Sequence, residues 1–392
     1  MPDFNFDEII YRRHTNSYKW DAPCDDKLLP MWVADMDFRT APCIIDALRK
    51  RVEHGVFGYT HVPDAYYEAI DRWFSTHHGW HVEHDHVIYT SGVVPALSAV
   101  IKALAPSGSK IIVQTPAYNC FFSSIRNNGC TLESNPLVYN PSDGSYAIDF
   151  DDLERKAANP DTHLMLLCNP HNPAGRLWTQ EELLKVGEIC IRHEVTVISD
   201  EIHCELTYNG DKYIPFASLS PEFEANCVVC CSPSKAFNIA GLQIANIICA
   251  DAEMRRKIDR AINDNEVCDV NPFGVVSLIA AYNDGYPWLE ALRAYLWENY
   301  VLAHDFFSRE LPEFTVTPLE ATYLMWFNIS VTGMKSEQLD RILMREGEVL
   351  LSPGCIYGPG GDDFLRLNLA CPRTLLEDGL ARIAKVLKTL AK

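Results

Sequence analysis

The sequence predicts an α/β protein in which a mostly parallel sheet, flanked by helices, is joined to a smaller α+β domain. Between residues 85 and 250, short apolar runs alternate with stretches of helical periodicity. After residue 285 the pattern changes to longer helices with a few strands. The length of 392 residues also exceeds what one hydrophobic core usually fills. We therefore expect a large domain at residues 46–284 and a small domain formed by residues 1–45 and 285–392.

Six short runs in the first region have the composition of strands that are buried on both faces. They are Val87–Tyr89, Lys110–Gln114, His163–Cys168, Val195–Ser199, Cys227–Cys231 and Ala245–Cys249. Helical patterns lie between several of them, at Val94–Leu104, Phe150–Ala158 and Thr179–His193. The last pattern begins with a capping box. Apolar strands that alternate with helices indicate a parallel sheet covered on both sides.

The second region is predicted to contain a long helix, two strands and two further helices. The long helix carries Leu292, Leu296, Ala303 and Phe307 on one face. After it we expect, in order, a strand at Thr322–Phe327, a helix at Glu337–Arg345, a strand at Phe364–Leu369 and a helix with apolar residues from Leu376 to Leu390. We expect the N-terminal arm to join this small domain.

The charge and composition exclude several classes of function. The 53 acidic and 34 basic side chains give a formal charge of −19, which repels nucleic acids and anionic membranes. No apolar run is long enough to span a bilayer, and the acidic start of the chain lacks the apolar segment of a signal peptide. Many of the 14 cysteines lie in apolar stretches, where a reduced thiol packs as a small hydrophobic group. We therefore expect a cytoplasmic protein whose partner is a small molecule.

Polar residues suited to catalysis follow several of the predicted strands. The Ser91–Ala96 segment turns a strand into a helix, whose first N–H groups can bind an anion. Asn172 lies between turn-forming prolines, and Asp200 and His203 follow another apolar strand. Taken singly, each segment could equally be an ordinary turn or helix cap. Taken together, they place polar groups at the edge where open α/β sheets bind ligands.

A lysine that follows a further strand suggests that these segments form one binding site. Lys235 closely follows Cys227–Cys231, with Ser232 and Ser234 beside it. Lysine is rarely buried without a partner, and a neutral lysine amine is a nucleophile toward aldehydes. The alternative is a lysine whose amine simply reaches solvent. An amine, a carboxylate, an amide and an anion-binding turn are the groups required by a phosphorylated pyridine aldehyde, pyridoxal 5'-phosphate.

The chain resembles the fold-type I pyridoxal-phosphate enzymes of the class I/II aminotransferase superfamily. Within them it is most similar to the MalY/PatB group of cystathionine β-lyases and cysteine desulfhydrases. The resemblance extends over nearly the whole chain and is most specific at Ser199–His203 and Ser234–Gln243, with further matches at Trp32–Phe38, Phe57–Thr60 and Arg366–Asn368. It implies a seven-stranded sheet in the cofactor-binding large domain and a homodimer with its active site at the subunit interface.

The resemblance also implies roles for individual residues around the cofactor ring. Lys235 would bind the cofactor covalently and later remove the proton from the substrate Cα. Asp200 would bind the ring nitrogen and keep it protonated. Asn172 would donate to the phenolic oxygen, with His203 near the same edge, and Tyr118 would stack on the ring.

Further groups are implied for the phosphate and the substrate. The phosphate would be bound by the amides of Val93 and Val94 and the hydroxyls of Ser232 and Ser234. Tyr59 would reach it from the other subunit, and both Tyr59 and Tyr118 could protonate the leaving group. Arg366 would bind the substrate α-carboxylate through two parallel hydrogen bonds, near Asn172. Many aminotransferases have an arginine at the position of Gln243, so the phosphate here would rest on neutral donors.

Removal of the Cα proton can lead to two reactions that use the same residues. In β-elimination a thiolate leaves Cβ and the products are a thiol, pyruvate and ammonia, whereas transamination gives a keto acid. We favour β-elimination on cystathionine, cysteine or a related S-substituted cysteine, because Trp32–Phe38 and Ala236–Gln243 match the lyase group. The alternatives are an aminotransferase of a neutral or aromatic amino acid and a regulatory binding protein. The presence of Lys235, Asp200 and Arg366 disfavours the binding protein.

Two further patterns are better explained by structure than by metal binding. Five histidines lie between His77 and His86, but they are predicted to form a solvated connection. Cys227 and Cys230 have the spacing of a CxxC motif, but residues three apart in a strand point to opposite faces. We therefore expect no metal site.

Overall fold

The computed structural model describes residues 4–264 and 269–390. Its helices are α1 (Tyr18–Asp21), α2 (Pro42–His54), α3 (Asp64–His78), α4 (Val93–Leu104), α5 (Asn119–Asn127), α6 (Phe150–Ala157), α7 (Gln180–Arg192), α8 (Pro221–Ala225), α9 (Ala252–Asn263), α10 (Pro272–Asp284), α11 (Tyr286–Glu310), α12 (Ser336–Ile342) and α13 (Arg373–Leu390). Its strands are β1 (Leu29–Pro30), β2 (Val87–Thr90), β3 (Lys110–Thr115), β4 (Thr131–Pro136), β5 (Val138–Tyr139), β6 (Tyr146–Ala147), β7 (Thr162–Cys168), β8 (Thr196–Asp200), β9 (Cys227–Cys231), β10 (Ala245–Ile248), β11 (Leu324–Asn328), β12 (Val349–Leu350), β13 (Ser352–Pro353) and β14 (Phe364–Asn368).

The largest sheet has seven strands in the order β2-β10-β9-β8-β7-β3-β4. Strand β10 runs antiparallel to both of its neighbours, and the other adjacent pairs are parallel. The predicted mostly parallel sheet is therefore confirmed. Asp200 pairs with Cys168 on one side and with Cys230 on the other, which aligns the carboxyl ends of β7, β8 and β9. The segments that follow these strands consequently begin at one edge of the sheet.

Strand β4 is the member of this sheet that the apolar pattern did not reveal. It lies at the sheet edge and pairs with β3, so much of its surface stays exposed and its sequence is largely polar. The six predicted strands correspond to β2, β3, β7, β8, β9 and β10. The three predicted helices between them correspond to α4, α6 and α7. The predicted capping box at the start of α7 is present, with Thr179 and Glu182 each binding the other's backbone.

Alternate side chains of the strands pack into two apolar layers. In β7, Leu166 packs in the layer that contains α4, α5 and α9, whereas Met165 packs in the layer that contains α6 and α7. The same alternation of strand side chains puts Cys227 and Cys230 in opposite layers, as predicted. Helices therefore cover the sheet on both faces, and its carboxyl edge stays available for a site.

The C-terminal region forms a second, smaller sheet. Strands β11, β14 and β13 pair antiparallel in that order, and α12 and α13 pack nearby. The first strand begins at Leu324, two residues later than predicted, and the predicted helix at Glu337–Arg345 becomes α12 followed by a π-helical turn at Leu343–Gly347. The N-terminal arm reaches this region, because β1 pairs in parallel with β12.

The domain boundaries stay a proposal, with one change. The predicted boundary after residue 45 falls inside α2, which is a continuous helix packed against α10 and is therefore part of the large domain. We propose the boundary before Pro42 and keep the second boundary at Gly285, which lies between α10 and α11. Across residues 4–264 and 269–390, no helix has both the length and the apolar character needed to cross a membrane.

The histidine-rich segment is dispersed in space. His78 Nε2 lies 2.9 Å from Glu205 Oε1, and His81 Nδ1 lies 2.6 Å from Asp71 Oδ1. Within the described part of the chain, no three His, Cys, Asp or Glu side chains converge as metal ligands do. His78 and His81 therefore each have a partner of their own on the protein.

Candidate active site

A cavity of about 480 Å³ lies at the carboxyl edge of the seven-stranded sheet, bounded also by the small domain and the N-terminal arm. Nine of the residues predicted for the site line its wall. They are Val93, Val94, Tyr118, Asn172, Asp200, His203, Ser234, Lys235 and Arg366. Among the residues that the structure describes, Ser232 and Tyr59 are the predicted site residues outside this wall.

Lys235 presents its amine to the cavity from a tight turn after β9. The turn is held by hydrogen bonds from Ser234 N to Ser232 Oγ (3.0 Å) and from Phe237 N to Pro233 O (2.9 Å). Loss of hydration lowers the pKa of the Lys235 amine to about 8, and the positive charge of Arg366 acts in the same direction. A large fraction of this amine is therefore neutral near pH 8, as a nucleophile or base requires.

Asp200 is the last residue of β8, and its buried carboxylate also faces the cavity. It accepts a hydrogen bond from Ile202 N at 3.1 Å. Burial raises the pKa of Asp200 to about 7, the neighbouring Glu201 acts in the same direction, and the Lys235 amine opposes the shift. Among the described residues no cation contacts this carboxylate directly. A buried carboxylate without such a contact is costly, so the site is suited to a ligand that carries a protonated nitrogen.

Glu201 is a buried acid whose surroundings are not evident from the sequence. It points away from Asp200, accepts hydrogen bonds from Ser199 Oγ (2.8 Å) and Phe216 N (3.0 Å), and contacts the hydroxyl of Tyr213. Burial raises the pKa of Glu201 to about 7. The sequence does show two adjacent acids, Asp200 and Glu201, at the end of an apolar strand. Because successive side chains in a strand point in opposite directions, this pattern indicates that the two acids have different surroundings.

Arg366 lies in the middle of β14, and its side chain is held from three sides. Its Nη1 donates to Asn172 Oδ1 at 3.1 Å and its Nη2 donates to Trp32 O at 2.9 Å, while the guanidinium carbon lies 5.0 Å from the ring centre of Tyr357. Arg366 is only 5% exposed, and its Nε has no hydrogen-bond partner among the described residues. A buried guanidinium with an unused donor is suited to a carboxylate ligand.

The start of α4 supplies backbone donors to the same cavity. Gly92 precedes the helix, and no side chain in the described structure caps its first turn, which begins at Val93 and Val94. Free N–H groups at a helix start bind anions such as phosphate. Ser234 lies in the wall beside them.

Ser232, which is also predicted to bind the phosphate, does not line the cavity wall in the described structure. Its hydroxyl lies 2.5 Å from Ile244 O, to which it donates its proton, and it accepts from Ser234 N. In the described structure the proton of Ser232 is used within the protein, and a role of this residue at the phosphate stays a prediction. Its contact with Ser234 stabilises the turn that carries Lys235.

Tyr118 and His203 are the two ring-bearing residues predicted beside the cofactor. Burial raises the pKa of the Tyr118 hydroxyl, and the adjacent Cys120 contributes to that rise, so the hydroxyl keeps its proton near neutral pH. Burial lowers the pKa of His203 well below its usual value, so the imidazole is neutral. Its Nδ1 has no hydrogen-bond partner in the described residues.

Tyr59 and Gln243 lie on the protein surface. The Tyr59 side chain is 97% exposed, next to the exposed Val56 and Phe57. Gln243 is also exposed, with a left-handed backbone (φ 53°). Within a single subunit, therefore, neither side chain lies at the cavity.

These groups fit pyridoxal phosphate on their own chemistry. The unpaired carboxylate of Asp200 suits a protonated ring nitrogen, and the partly neutral amine of Lys235 suits an aldehyde. The uncapped start of α4 suits a phosphate, and the spare donor of Arg366 suits the carboxylate of an amino acid. The cavity can therefore hold this cofactor together with an amino-acid substrate.

Comparisons with known proteins agree with this chemistry. The family model "Aminotransferase class I and II" matches residues 27–383. The chain is 44% identical to "Cystathionine beta-lyase PatB" of Bacillus subtilis (strain 168), over 98% of this chain and 100% of that protein. It is similar to a pyridoxal-phosphate-bound C-S lyase from Staphylococcus hominis (34% identity, TM-score 0.91, 98% and 99% coverage of the two chains). It also resembles a pyridoxal-phosphate-bound putative aminotransferase from Clostridium difficile 630 (42% identity, TM-score 0.95, 97% and 99% coverage).

Proposed function

The chain belongs to the class I and II aminotransferase family and depends on pyridoxal phosphate, and we propose that it is a carbon–sulfur β-lyase. Its substrate is cystathionine, cysteine or a related S-substituted cysteine. The observation that carries this proposal is the convergence of Lys235, Asp200 and Arg366 on one cavity. The 44% identity to a cystathionine β-lyase over 98% of the chain supports elimination over transamination.

The cofactor is held by residues that surround the cavity. Lys235 would join covalently to its aldehyde, Asp200 would pair with the ring nitrogen, and Tyr118 would stack on the ring. Asn172 Nδ2 would donate to the phenolic oxygen, with His203 beside it. The backbone N–H groups of Val93 and Val94 and the hydroxyl of Ser234 would bind the phosphate. When bound, pyridoxal phosphate supplies an electron-accepting ring that stabilises the electron pair left at Cα.

The protein's own groups then act on the substrate. Arg366 binds the α-carboxylate and thereby fixes the orientation of the Cα–H bond. Lys235, once its amine is free and neutral, removes the Cα proton. Tyr118 keeps its own proton and can donate it to the departing sulfur, a role that Tyr59 could share. Breaking the Cα–H and Cβ–S bonds, followed by addition of one water, gives a thiol, pyruvate and ammonia.

The composition of the cavity wall disfavours a substrate whose side chain beyond the sulfur carries a net negative charge. Within the described residues, Arg366 is the one guanidinium in the wall, and the proposed function assigns it to the α-carboxylate. Part of the wall is aromatic and apolar, with Tyr18, Trp32, Ile356 and Tyr357 among its residues. A second carboxylate on the substrate would therefore find no arginine in this wall.

We further propose a homodimer in the cytoplasm. The exposed apolar side chains of Val52, Val56, Phe57 and Tyr59 lie close together in sequence, and their burial against a second copy would remove an apolar surface from water. In this arrangement Tyr59 reaches the phosphate of the other subunit. The 13 cysteines within the described residues are free thiols, which is typical of a reducing compartment. The proposed reaction makes the protein an enzyme of amino-acid metabolism.

Purified protein tests the proposed function directly. The holoenzyme should be yellow, and borohydride should attach the cofactor permanently to Lys235. Cystathionine should then yield pyruvate without any added keto acid. Turnover that requires an added keto acid would instead identify an aminotransferase, and a colourless protein that borohydride cannot label would exclude both enzymes.

A further inference from the structure

We propose that Tyr323 is a positioning residue for Lys235, acting through the main-chain carbonyl of Ala34. Tyr323 immediately precedes β11, its side chain is 1% exposed, and in the described structure it lies outside the cavity wall. Any effect of Tyr323 on the reaction must therefore be transmitted through another group. The inference rests on the proposed function in one respect, namely that Lys235 is the reactive amine.

The Ala34 carbonyl oxygen accepts two hydrogen bonds. Lys235 Nζ donates to it at 2.6 Å and the Tyr323 hydroxyl donates to it at 2.9 Å. A carbonyl oxygen has two lone pairs, so these two donors satisfy it completely. The free amine of Lys235 and the hydroxyl of Tyr323 are therefore coupled through a single atom.

The backbone around Ala34 is held in place from the small domain. Asn368, at the end of β14, donates through Nδ2 to Val33 O (2.6 Å) and to Asp35 O (2.7 Å), and its own Oδ1 accepts from Ala370 N (2.8 Å). Asn368 is 1% exposed. Because the residues on both sides of Ala34 are bound, its carbonyl stays directed at the cavity, where it orients the amine.

The hydroxyl also affects the charge state of that amine. A carbonyl oxygen stabilises an ammonium more than a neutral amine, because the ammonium carries the positive charge. The Tyr323 proton points at the same oxygen and reduces its negative potential toward Lys235. Tyr323 consequently favours the neutral amine, which is the form that attacks an aldehyde or removes a proton.

Other charged and titratable groups also face Lys235. Arg366 from β14 favours the neutral amine, whereas Asp35 from the arm, Asp200 from β8 and Cys120 from α5 favour the ammonium. Tyr323→Phe removes one hydroxyl and leaves all of these in place. It therefore isolates the contribution made through Ala34.

The test measures how fast the cofactor-free chain captures added pyridoxal phosphate across a range of pH. Capture requires the neutral amine, so its half-maximal pH reports the pKa of Lys235. In Tyr323→Phe the half-maximal pH should rise by about half to one pH unit, the equivalent of one hydrogen bond. In the loaded enzyme kcat should fall at neutral pH while KM stays nearly constant, because Arg366 still binds the substrate.

Tyr208→Phe is the matched control. Tyr208 is also buried (4% exposed), and its hydroxyl donates to the backbone carbonyl of Thr322 at 2.5 Å. Within the described residues, Tyr208 lies outside the cavity wall. Both variants lose the same kind of hydrogen bond, so a purely structural role for Tyr323 would give equal melting temperatures and equal pH profiles in the two variants. That result would overturn the inference.

A second variant strengthens the hydrogen bond to Ala34 instead of removing it, so the test does not depend on whether Tyr323→Phe folds normally. Replacing Tyr323 by 3-fluorotyrosine keeps the ring and the hydroxyl but makes the hydroxyl a stronger donor, so the half-maximal pH should fall. A rise, or no change, would contradict the inference. Failure of wild-type protein to capture the cofactor at any pH would instead refute the proposed function, so the two failures are distinguishable.

Discussion

Arg366 and Asn172 are joined by a hydrogen bond of 3.1 Å between Nη1 and Oδ1, although 194 residues separate them in the chain. The bond links β14 of the small domain to the segment that follows β7. It also determines how the Asn172 amide is oriented, because an oxygen bound to a guanidinium leaves the NH₂ group as the free donor. The proposed substrate-binding group thus orients the proposed cofactor-binding group.

The first prediction concerns the shape of the Arg366 side chain. Arg366→Lys keeps the charge but loses the planar pair of donors, so KM for the amino acid should rise by about 10- to 100-fold, equivalent to about 1.5–3 kcal/mol. The yellow colour of the bound cofactor should remain. Steady-state kinetics with cystathionine and an absorbance spectrum provide both measurements.

Arg176→Lys is the control for that substitution. Arg176 Nη1 lies 3.0 Å from both carboxylate oxygens of Glu320, outside the cavity wall of the described chain. It should change stability but not KM. An Arg366→Lys enzyme with wild-type KM would remove Arg366 from the substrate site.

The second prediction concerns the pH dependence of cofactor binding. The pKa of Lys235 is lowered to about 8, so below that pH the capture rate of pyridoxal phosphate should rise about tenfold per pH unit, and above it the rate should level off. Stopped-flow absorbance with cofactor-free protein measures this rate, with Nα-acetyl-lysine as the reference amine. A half-maximal rate near 10.5, the ordinary lysine value, would show that the cavity does not perturb the amine.

The third prediction concerns how much the buried Asp200 carboxylate lowers the free energy of unfolding. Its pKa is raised from 3.8 to about 7, so the folded chain binds this proton more tightly than the unfolded chain does. The resulting stabilisation is complete below pH 3.8 and is lost as the pH rises toward 7. Asp200→Asn removes the charge, so cofactor-free protein should gain of the order of 1–3 kcal/mol at pH 8 relative to wild type.

Urea unfolding at pH 5 and pH 8 measures that gain, which should be smaller at pH 5. The same variant should lose at least about a hundredfold in kcat, because the ring nitrogen loses its negatively charged partner. A variant that is less stable at pH 8 and fully active would contradict both the position and the role proposed for Asp200.

The fourth prediction concerns Tyr59 and the second subunit. Tyr59→Phe and Lys235→Ala should each reduce activity strongly when present in both subunits. A mixed dimer of the two variants contains one complete site, which combines Lys235 of one subunit with Tyr59 of the other. Mixing the inactive proteins under conditions of subunit exchange should therefore restore activity. No recovery in a verified mixed dimer would place Tyr59 outside the partner's site.

Much of the sheet and of the candidate site could be predicted because their signals are local. Strands such as β8 are apolar on both faces, and Asp200 stands out as an acid at the end of such a strand. Strand β4 was missed because an exposed edge strand has no continuous apolar run. The hydrogen bond from Ser232 to Ile244 O could not be predicted, because it joins the ends of two strands that only the folded sheet brings together.

By itself, the sequence determined which chemical groups this protein brings to its site: a lysine, an acid, an amide and an arginine, each placed next to an element whose periodicity is visible along the chain. Only the tertiary structure decided how those groups are coupled. The Ala34 carbonyl meets Lys235 and Tyr323, and Arg366 meets Asn172, because two sheets and the N-terminal arm fold against one another. Hydrogen bonds between segments hundreds of residues apart depend on that folding and leave no periodic trace in the sequence.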